Sequence, residues 1–425
     1  MPPTGPRLRL LVTALGLCLA ATLAAGLALG GVESGLADQA VVDGDVQPRV
    51  VQEANSSNSL QPERDDATRD AIAYQDVDVG IAVASGAEAL HGRHDRLAFS
   101  ERFQNAPNES AQLETFRTAV ADLARRTSEI RTARTEARTA FREGTITASE
   151  YFRRLALLDA ATDRLAAQRN RLEERVGEVG PRAQSSLTQL QNLEADIETM
   201  NGPVTAELRA RYAGNASAGA TLLSVTGDGG FVAATTTDER FYRVAQESAD
   251  WSRDGVDRFP TAGGSGGLSQ ALDRAADLYP WTFSHQFGSP PPRGVFGTTV
   301  LYKIAVIHQH GELTVYLDGS TESVFREVQQ NRLNAIPWNW SRSATANGVE
   351  LTVNGTSPSG PLDVRLTDAT SDDGVDGRIR IEDTYVGSTE ATGRFRTVQP
   401  YGAFTVNATT PANETVTLTI PANTS

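Results

Sequence analysis

The sequence predicts an α+β chain of several domains. We expect an N-terminal signal or anchor helix, a long antiparallel helical hairpin that is coiled-coil-like, an α+β region and a C-terminal β-sandwich. Apolar residues recur at a three-to-four spacing through residues 110–182, the spacing changes to alternation from residue 214, and residues 349–420 form short alternating runs. With 425 residues, the chain is long enough for two or three domains that each bury a core.

The N-terminus begins with a basic and then an apolar segment. Arg7 and Arg9 precede the apolar or small residues from Leu10 to Leu29, which is about the length that spans a bilayer. We assign residues 1–30 to a signal peptide or to a membrane anchor, since small residues before Asp38 also offer a cleavage site. In either case the rest of the chain is expected on the extracytoplasmic side of the membrane.

The composition is acidic and poor in lysine. There are 53 acidic and 39 basic residues, a formal net charge of −14, and Lys303 is the only lysine. Such a composition resembles that of proteins from extremely halophilic archaea, although a GC-rich genome gives the same bias. The only cysteine, Cys18, lies in the apolar segment, so the rest of this sequence can form no disulfide.

Asn-X-Ser/Thr sequons are frequent, which supports an extracytoplasmic, glycosylated chain. The candidate glycosylation sites are Asn55, Asn108, Asn215, Asn339, Asn354, Asn407, Asn413 and Asn423. The last three fall in a segment that is rich in Asn and Thr, so they carry less weight than the others.

Residues 31–74 are polar and acidic, and we expect them to form a linker. The run DVDVGIAVA that follows alternates and predicts a strand, and GAEALHGRHDRLAFSERF predicts a helix. Both belong to an expected N-terminal domain, residues 75–260, which also holds the helical hairpin and a small β-hairpin.

The helical hairpin, at about 110–180, is the clearest predicted element. Leu113, Phe116 and Val120 begin an apolar seam in the first helix, and Arg134 occupies a polar position within that seam. Gly144 ends this helix, and Thr147 with Glu150 forms a capping box for the next. A third amphipathic stretch covers residues 187–200.

The hairpin is locally basic. Residues 110–182 hold 14 arginines and 11 acids, a local charge of +3. This surplus suits an acidic envelope partner, but pairing along each helix explains most of the arginines without a partner. Self-association through the hairpin is the other partner that we expect.

The second half is predicted to mix strands and helices. A β-hairpin is expected around GDGG (227–230), followed by a helix over residues 238–254. The segment 261–348 begins with a Gly-rich linker and a helix; we then expect a β-hairpin turning at His310-Gly311 and a helix from Ser320.

The tail, residues 349–425, carries a resemblance to a known fold. The string GRIRIEDTYVGSTEATGRFRTVQPYGAFTV resembles carboxypeptidase-regulatory or transthyretin-like β-sandwiches. The resemblance lies in the spacing of strand and turn residues such as Ile379, Gly387, Gly393 and Phe404. The resemblance implies a non-catalytic stabilising or adhesive module.

A broader resemblance covers most of residues 75–410. The strings DVGIAVA, GTITASEYFRRL, GGFVAATTTDERFYRVA and VYLDGSTESVFREVQQNRL resemble a family of exported or membrane-anchored haloarchaeal proteins of unknown function. That resemblance implies an envelope location and no particular activity.

Two strings invite a catalytic or metal-binding interpretation. GGSGG (263–267) matches the nucleophile elbow of hydrolases, but Pro260 and the missing strand before Ser265 favour a flexible linker. His308, His310 and Glu312 alternate as metal ligands do on a strand, but a turn at His310 would separate them. We therefore assign no metal site there.

Three further groups have structural explanations that we favour. His91 and His94 are expected to be a surface pair on a helix. Trp281, Trp338 and Trp340 lie beside prolines and are expected to anchor cores, with an exposed aromatic platform as the alternative. The acidic residues Asp368, Asp372, Asp373 and Asp376 lack the spacing of an EF-hand loop, which leaves weak cation binding as the alternative.

The sequence favours a non-catalytic, extracytoplasmic protein with a structural or interaction role in the envelope of a halophilic archaeon. The alternatives are a ligand-binding or sensing module, with its pocket between the helical and β parts, and less favoured, a secreted hydrolase. We find no phosphate loop, dinucleotide fingerprint, zinc knuckle or nucleic-acid patch, and we expect no catalytic residue, cofactor or metal.

Overall fold

The structure is a computed structural model that describes residues 50–53, 55–252, 255–259, 266–288, 293–297 and 299–422. The expected signal peptide or anchor, the first part of the expected linker, Ser265 and the sequon at Asn423 lie outside the described residues. None of the described helices is both long and apolar enough to cross a membrane.

Helices dominate the first half of the described chain, and two more follow later. Their bounds are α1 Val79–Gln104, α2 Glu109–Arg142, α3 Ala148–Glu173, α4 Val176–Val179, α5 Gln184–Met200, α6 Pro203–Tyr212, α7 Gly266–Leu278 and α8 Pro280–Ser284. The predicted pairing of α2 with α3 is confirmed. Gly144 turns with φ 79°, and the Thr147 hydroxyl accepts the Glu150 N–H at 3.2 Å, which caps α3.

The hairpin of α2 and α3 lies within a larger bundle. Helix α1 packs along α3, and α5 packs against both arms of the hairpin. Phe103 from α1, Phe116 from α2 and Leu190 from α5 are almost fully buried in one cluster, which explains why these helices associate.

One antiparallel sheet of eight strands lies against this bundle. The strands of the first part of the chain and of this sheet are β1 Val50–Val51, β2 Ser59–Leu60, β3 Arg69–Gln75, β4 Gly219–Val225, β5 Phe231–Thr236, β6 Arg240–Gln246, β7 Arg293–Val295, β8 Leu301–His308, β9 Gly311–Asp318 and β10 Ser323–Arg332. The order is β3-β4-β5-β6-β10-β9-β8-β7, while β1 and β2 pair separately. The bundle covers one face, and α7 and α8 cover part of the other.

Two predicted helices are strands. Residues 240–246 form β6 and residues 323–332 form β10, and the two strands pair along seven positions from Arg326–Gln246 to Arg332–Arg240. The apolar residues of each strand face two cores: Val244 faces the bundle, whereas Ala245 faces α7. Burial on both faces removes the polar alternation that would have indicated a strand.

The start of the described region also differs from expectation. DVDVGIAVA is the beginning of α1, because the Asp78 side chain accepts the Ile81 N–H at 3.1 Å and caps the helix. The strand comes earlier, at Arg69–Gln75. Part of the expected linker, residues 31–74, belongs to the fold: residues 57–60 are buried and Leu60 lies in the core shared with α7, whereas residues 63–67 are exposed.

The hairpin of β8 and β9 is confirmed, with a shifted turn. His308 pairs with Gly311 and Val306 with Leu313, so the two-residue turn is Gln309-His310 rather than His310-Gly311. The pairing is therefore displaced by two residues from the predicted register. His308 stays on the face of Leu313, as predicted, because a two-residue shift preserves the alternation.

The last region is a β-sandwich, as predicted. Its strands are β11 Trp340–Ala346, β12 Val349–Gly355, β13 Pro361–Asp368, β14 Arg378–Ile381, β15 Thr384–Ser388, β16 Arg394–Val398, β17 Phe404–Thr409 and β18 Thr415–Ile420. They form two four-stranded sheets, β11-β12-β13-β16 and β15-β14-β17-β18. Ile379, Ile381, Phe404 and Val406 are buried between them, as their alternation indicates.

Candidate functional site

A cavity of about 230 Å³ lies between the helical bundle and the central sheet. Its helical wall comes from α2, α3, α5 and α6, and its other wall comes from β5, β6, β10 and the segment after β6. The lining residues are Arg131, Arg134, Thr135, Arg138, Tyr151, Leu155, Asp196, Thr199, Met200, Gly202, Val204, Thr205, Phe231, Ala233, Val244, Gln246, Ser248, Trp251, Phe325 and Arg326. Apolar and aromatic side chains therefore surround a group of arginines.

Helix α2 supplies three of these arginines. Arg131, Arg134 and Arg138 are spaced three and four residues apart, which puts them on one face of a helix. Only Arg131 pairs with an acid of the lining, Asp196, at 3.3 Å. The other two make neutral contacts: Arg134 donates to the Thr162 hydroxyl, and Arg138 to the Thr135 hydroxyl, each at 3.3 Å.

The fourth arginine comes from the opposite wall through a β-bulge. Pairing of β10 with β9 shifts between Val324 and Arg326, so Phe325 is the extra residue. Both Phe325 and Arg326 consequently line the cavity, although neighbours on a regular strand face opposite sides. The bulge thus directs an additional side chain to the site.

Arg326 is almost fully buried, with 3% of its surface exposed. Its guanidinium donates to the Asn201 carbonyl and, at 3.4 Å, to the Gln246 side chain. Gly202 permits this approach, because a Cβ there would lie 3.0 Å from Nη2 of Arg326. Both acceptors are neutral, so neither compensates the charge.

Three arginines of the cavity lack a counter-ion. Arg134, Arg138 and Arg326 form no ion pair with any carboxylate of the described residues. Their Nε–H groups are buried and have no hydrogen-bond acceptor in that same part of the chain. A buried cation without a paired anion is unfavourable, and an anion bound in the cavity would compensate these charges.

Burial weakens the basicity of these groups without neutralising them. It lowers the pKa of Arg134 to about 10 and that of Arg326 to about 10, and it also lowers the pKa of Arg138. Attraction to Asp159 offsets part of this effect at Arg134, and repulsion between the arginines adds to it at both Arg134 and Arg326. With a pKa of about 10, Arg134 and Arg326 stay cationic at neutral pH, and Asp196 is the one carboxylate among the described lining residues.

The remaining lining is aromatic and apolar. The rings of Trp251 and Phe325 lie 4.6 Å apart, and the guanidinium of Arg138 lies 5.1 Å above the ring of Phe231. At about 230 Å³, the cavity is smaller than the pockets that hold drug-sized ligands. It therefore suits a small anion with a limited apolar part.

The histidines and the lysine of 301–310 lie elsewhere. Lys303 pairs with Glu198 of α5, which also accepts from the Tyr316 hydroxyl at 3.0 Å. His308 and His310 are buried beside Trp281, whose ring lies 4.5 Å from that of His310. Burial lowers the pKa of His308 to about 4 and also lowers that of His310.

Histidine and acidic groups do not gather into a cation site among the described residues. His91 and His94 are exposed on α1, as expected of a surface pair. Asp368 accepts the backbone N–H groups of Thr370 and Ser371, which lower its pKa and hold the loop without a cation.

The candidate glycosylation sites differ in exposure. Asn55, Asn108, Asn215, Asn339 and Asn413 are exposed, and Asn354 and Asn407 are partly buried. Asn108 also caps α2, with its side-chain oxygen accepting the Ala111 N–H at 3.0 Å. Exposure makes attachment sterically feasible, and glycosylation itself stays a prediction.

The arginine cavity was not recognised from the sequence. One signal was present, since Arg134 occupies a seam position of α2, where a charge is unusual unless it has a partner. Nothing in the sequence indicated that Arg326 lines the cavity. Its position depends on the bulge at Phe325 and on a strand that the sequence predicted as a helix.

Comparison with protein families divides the chain into three matches. Residues 8–217 match a domain of unknown function (DUF7096), residues 223–337 a family of unknown function (DUF7094), and residues 341–417 an archaeal fibronectin-III type-like domain. No curated protein and no solved structure matches the chain. The matches agree with archaeal domains of unknown function; the sandwich is matched as fibronectin-III type-like rather than transthyretin-like.

Proposed function

We propose that this chain is a non-catalytic binding protein of the archaeal cell surface, which holds a small anion in the arginine cavity. One observation carries the proposal: Arg134, Arg138 and Arg326 line the cavity with no carboxylate partner among the described residues. A bound anion would supply the missing charge and accept from the free Nε–H groups.

The chemistry of arginine indicates which anions fit. A guanidinium presents parallel N–H donors that match the oxygens of a carboxylate, sulfate or phosphate group. Phe231, Trp251 and Phe325 would pack against the apolar remainder of such a ligand. The expected ligand class is thus a small organic acid or an acidic or sulfated sugar unit, bound by its charged group.

The lining supports binding more than hydrolysis. Among the described residues that line the cavity, Asp196 is the only carboxylate, and it is paired with Arg131. Hydrolysis by general acid and base would need a second group beside it. The hydrolase alternative therefore gains no support from this cavity.

The proposed location rests on sequence features. Apolar residues 10–29 would export or anchor the chain, and several exposed sequons would be available to a glycosylating enzyme. Glycan staining of the native protein, together with its retention in washed membranes, tests this. A chain that is recovered unglycosylated from the cytoplasm contradicts it.

Anion binding can be measured by thermal unfolding of the full-length chain with sulfate, phosphate or glucuronate at fixed ionic strength. We expect at least one to raise the melting temperature saturably, since a ligand at a hundred times its Kd adds about 2.7 kcal/mol to the free energy of unfolding. Arg326→Met should abolish this gain. The ligand-free variant should be no more than about 1 kcal/mol less stable, because an unpaired buried charge is removed.

The matched control is Arg342→Met, which removes an exposed arginine of β11. It should keep the full response to the anion. If no probe gives a saturable shift, or if Arg326→Met responds as the wild type does, the cavity is not an anion site. A structural or interaction role in the envelope would then be the remaining proposal.

A further inference from the structure

Exposed hydrophobic side chains concentrate on one helix. Ten large hydrophobic residues are exposed in the described part of the chain, and five of them lie on α1 or directly before it. They are Val77 (59% exposed), Val79 (72%), Val83 (68%), Leu90 (64%) and Leu97 (71%). Such a concentration on a surface marks an interaction site.

The residues on α1 follow a heptad pattern. Val83, Leu90 and Leu97 are seven residues apart, and Val79 precedes Val83 by four. Gly86 and Arg93 fill the intervening positions and are exposed as well. These six positions form one seam, about 27 Å long at 1.5 Å per residue.

The opposite face of α1 is already occupied. Ile81, Phe99 and Phe103 are buried against the bundle. The seam is thus a second apolar stripe on a helix whose first stripe already packs. A narrow seam of this spacing suits another helix, whereas a helix that lies on a lipid surface needs a wider apolar face and a basic border.

We infer that α1 docks on α1 of a second copy of this chain, in antiparallel orientation. With a two-fold axis near residue 88, Val79 faces Leu97 of the second copy, and Leu90 faces Gly86. Leu90 would then fill the space over Gly86, while Val79 and Leu97 meet as two apolar side chains. The self-complementary pattern favours a second copy over an unrelated helix.

Charge decides the orientation. In a parallel pair, Arg93 would lie beside Arg93 of the second copy within the seam, and like charges there repel. In the antiparallel pair, Arg93 faces Val83, and its stem can cover the valine while its head reaches water. The antiparallel register thus separates the two arginines.

The area is sufficient for a concentration-dependent dimer. A fully buried Leu or Val side chain removes roughly 60–120 Å² from water. Eight side chains, each about two-thirds exposed, therefore bury roughly 300–650 Å² of apolar area, and polar seam neighbours bring the total to about 1,000 Å² at most. This lies at the lower limit for a specific interface.

The inference replaces self-association through the hairpin of α2 and α3, whose apolar seam is buried within the bundle. It does not depend on the anion cavity, which is lined by α2, α3, α5, α6 and the sheet and by no residue of α1. Failure of one proposal leaves the other unaffected.

The test is the molar mass of the full-length chain in mild detergent and molar salt, measured by light scattering over a range of concentrations. We expect a dimer for the wild type and a monomer, half that mass, for Leu90→Glu/Leu97→Glu. The matched control is Ile307→Glu, since Ile307 is an exposed residue of β8. It should remain dimeric, and all three proteins should have the same circular dichroism. The monomeric variant should melt at the temperature of wild type diluted until it is monomeric.

Cross-linking tests the orientation. In a chain with Cys18→Ser, the pair Val79→Cys/Leu97→Cys should be linked between copies by a short bis-maleimide, and Leu97→Cys alone should not. A wild type that is monomeric throughout, a dimer that survives Leu90→Glu/Leu97→Glu, or links to a different protein would overturn the proposal. Linkage of Leu97→Cys alone would overturn the antiparallel arrangement.

Discussion

At the scale of single residues, surroundings decide what a rare side chain does. Lys303 is singular in this composition, and it joins β8 to α5 through Glu198. His308 and His310 have the alternation of metal ligands, but they are buried beside Trp281 and Arg332 rather than around a cation site. Protonation of these histidines is therefore expected to change the stability of the fold.

Burial of His308 predicts acid sensitivity. Its pKa is about 4 in the folded chain and about 6.5 when unfolded, so between these values the unfolded chain binds the proton more readily. The contribution of neutral His308 to the free energy of unfolding is fully present above pH 6.5 and is lost as the pH drops towards 4. Between pH 7.5 and 4.5 this histidine should cost about 2.5 kcal/mol.

Denaturant unfolding at the two pH values measures this cost. His308→Gln should lose about 2.5 kcal/mol less than the wild type over the interval, while carboxylates affect both proteins alike. His94→Gln is the control, because His94 is exposed on α1. Equal pH dependence in the wild type and in His308→Gln would refute the argument.

At the scale of elements, the sequence predicted correctly those features that depend only on residues within one short segment. The turn of the helical hairpin was predicted because Gly144 and Thr147 act within their own segment. β10 was missed because the bulge at Phe325 brings Phe325 and Val328 to one core, and their spacing of three resembles a helix. The bulge exists only through the pairing with β9.

The cap of α3 gives an element-scale prediction. Thr147→Ala removes the hydroxyl that accepts the Glu150 N–H, and we expect a loss of about 1 kcal/mol in the free energy of unfolding. Thr147→Ser keeps the hydroxyl and should stay within about 0.3 kcal/mol of the wild type. Urea unfolding of both variants measures the difference; equal losses would show that the hydroxyl does not matter.

At the scale of the whole molecule, one sheet connects the parts. Its strands come from both sides of the domain boundary that the sequence predicted between residues 260 and 261, since β6 pairs with β10. The sandwich joins it through Val398 of β16, which is buried with Leu222, Ala234 and Phe241 of the sheet. Arg396 adds a hydrogen bond of 2.7 Å to the Asp238 carbonyl.

This junction predicts coupled stability. Val398→Ala should destabilise the chain by about 2 kcal/mol through lost burial and a cavity. Hydrogen exchange should then accelerate in residues 219–236 of the sheet as well as in β16. Val295→Ala, at an exposed valine, should change neither. Acceleration confined to the sandwich would show that the two regions unfold independently.

The sequence by itself determined the α+β class, the turn and the cap between α2 and α3, the hairpin of β8 and β9 and the β-sandwich. Each of these follows from periodicity and turn chemistry over short distances along the chain. The sequence also determined the charge and the composition.

Only the tertiary structure decided which strands join the central sheet and where the arginines meet. Arg134 and Arg326 are separated by almost two hundred residues and line one cavity because a bulge, a buried sheet and a glycine at 202 bring their side chains together. Strand pairing across that distance depends on contacts between segments, and no local pattern records it.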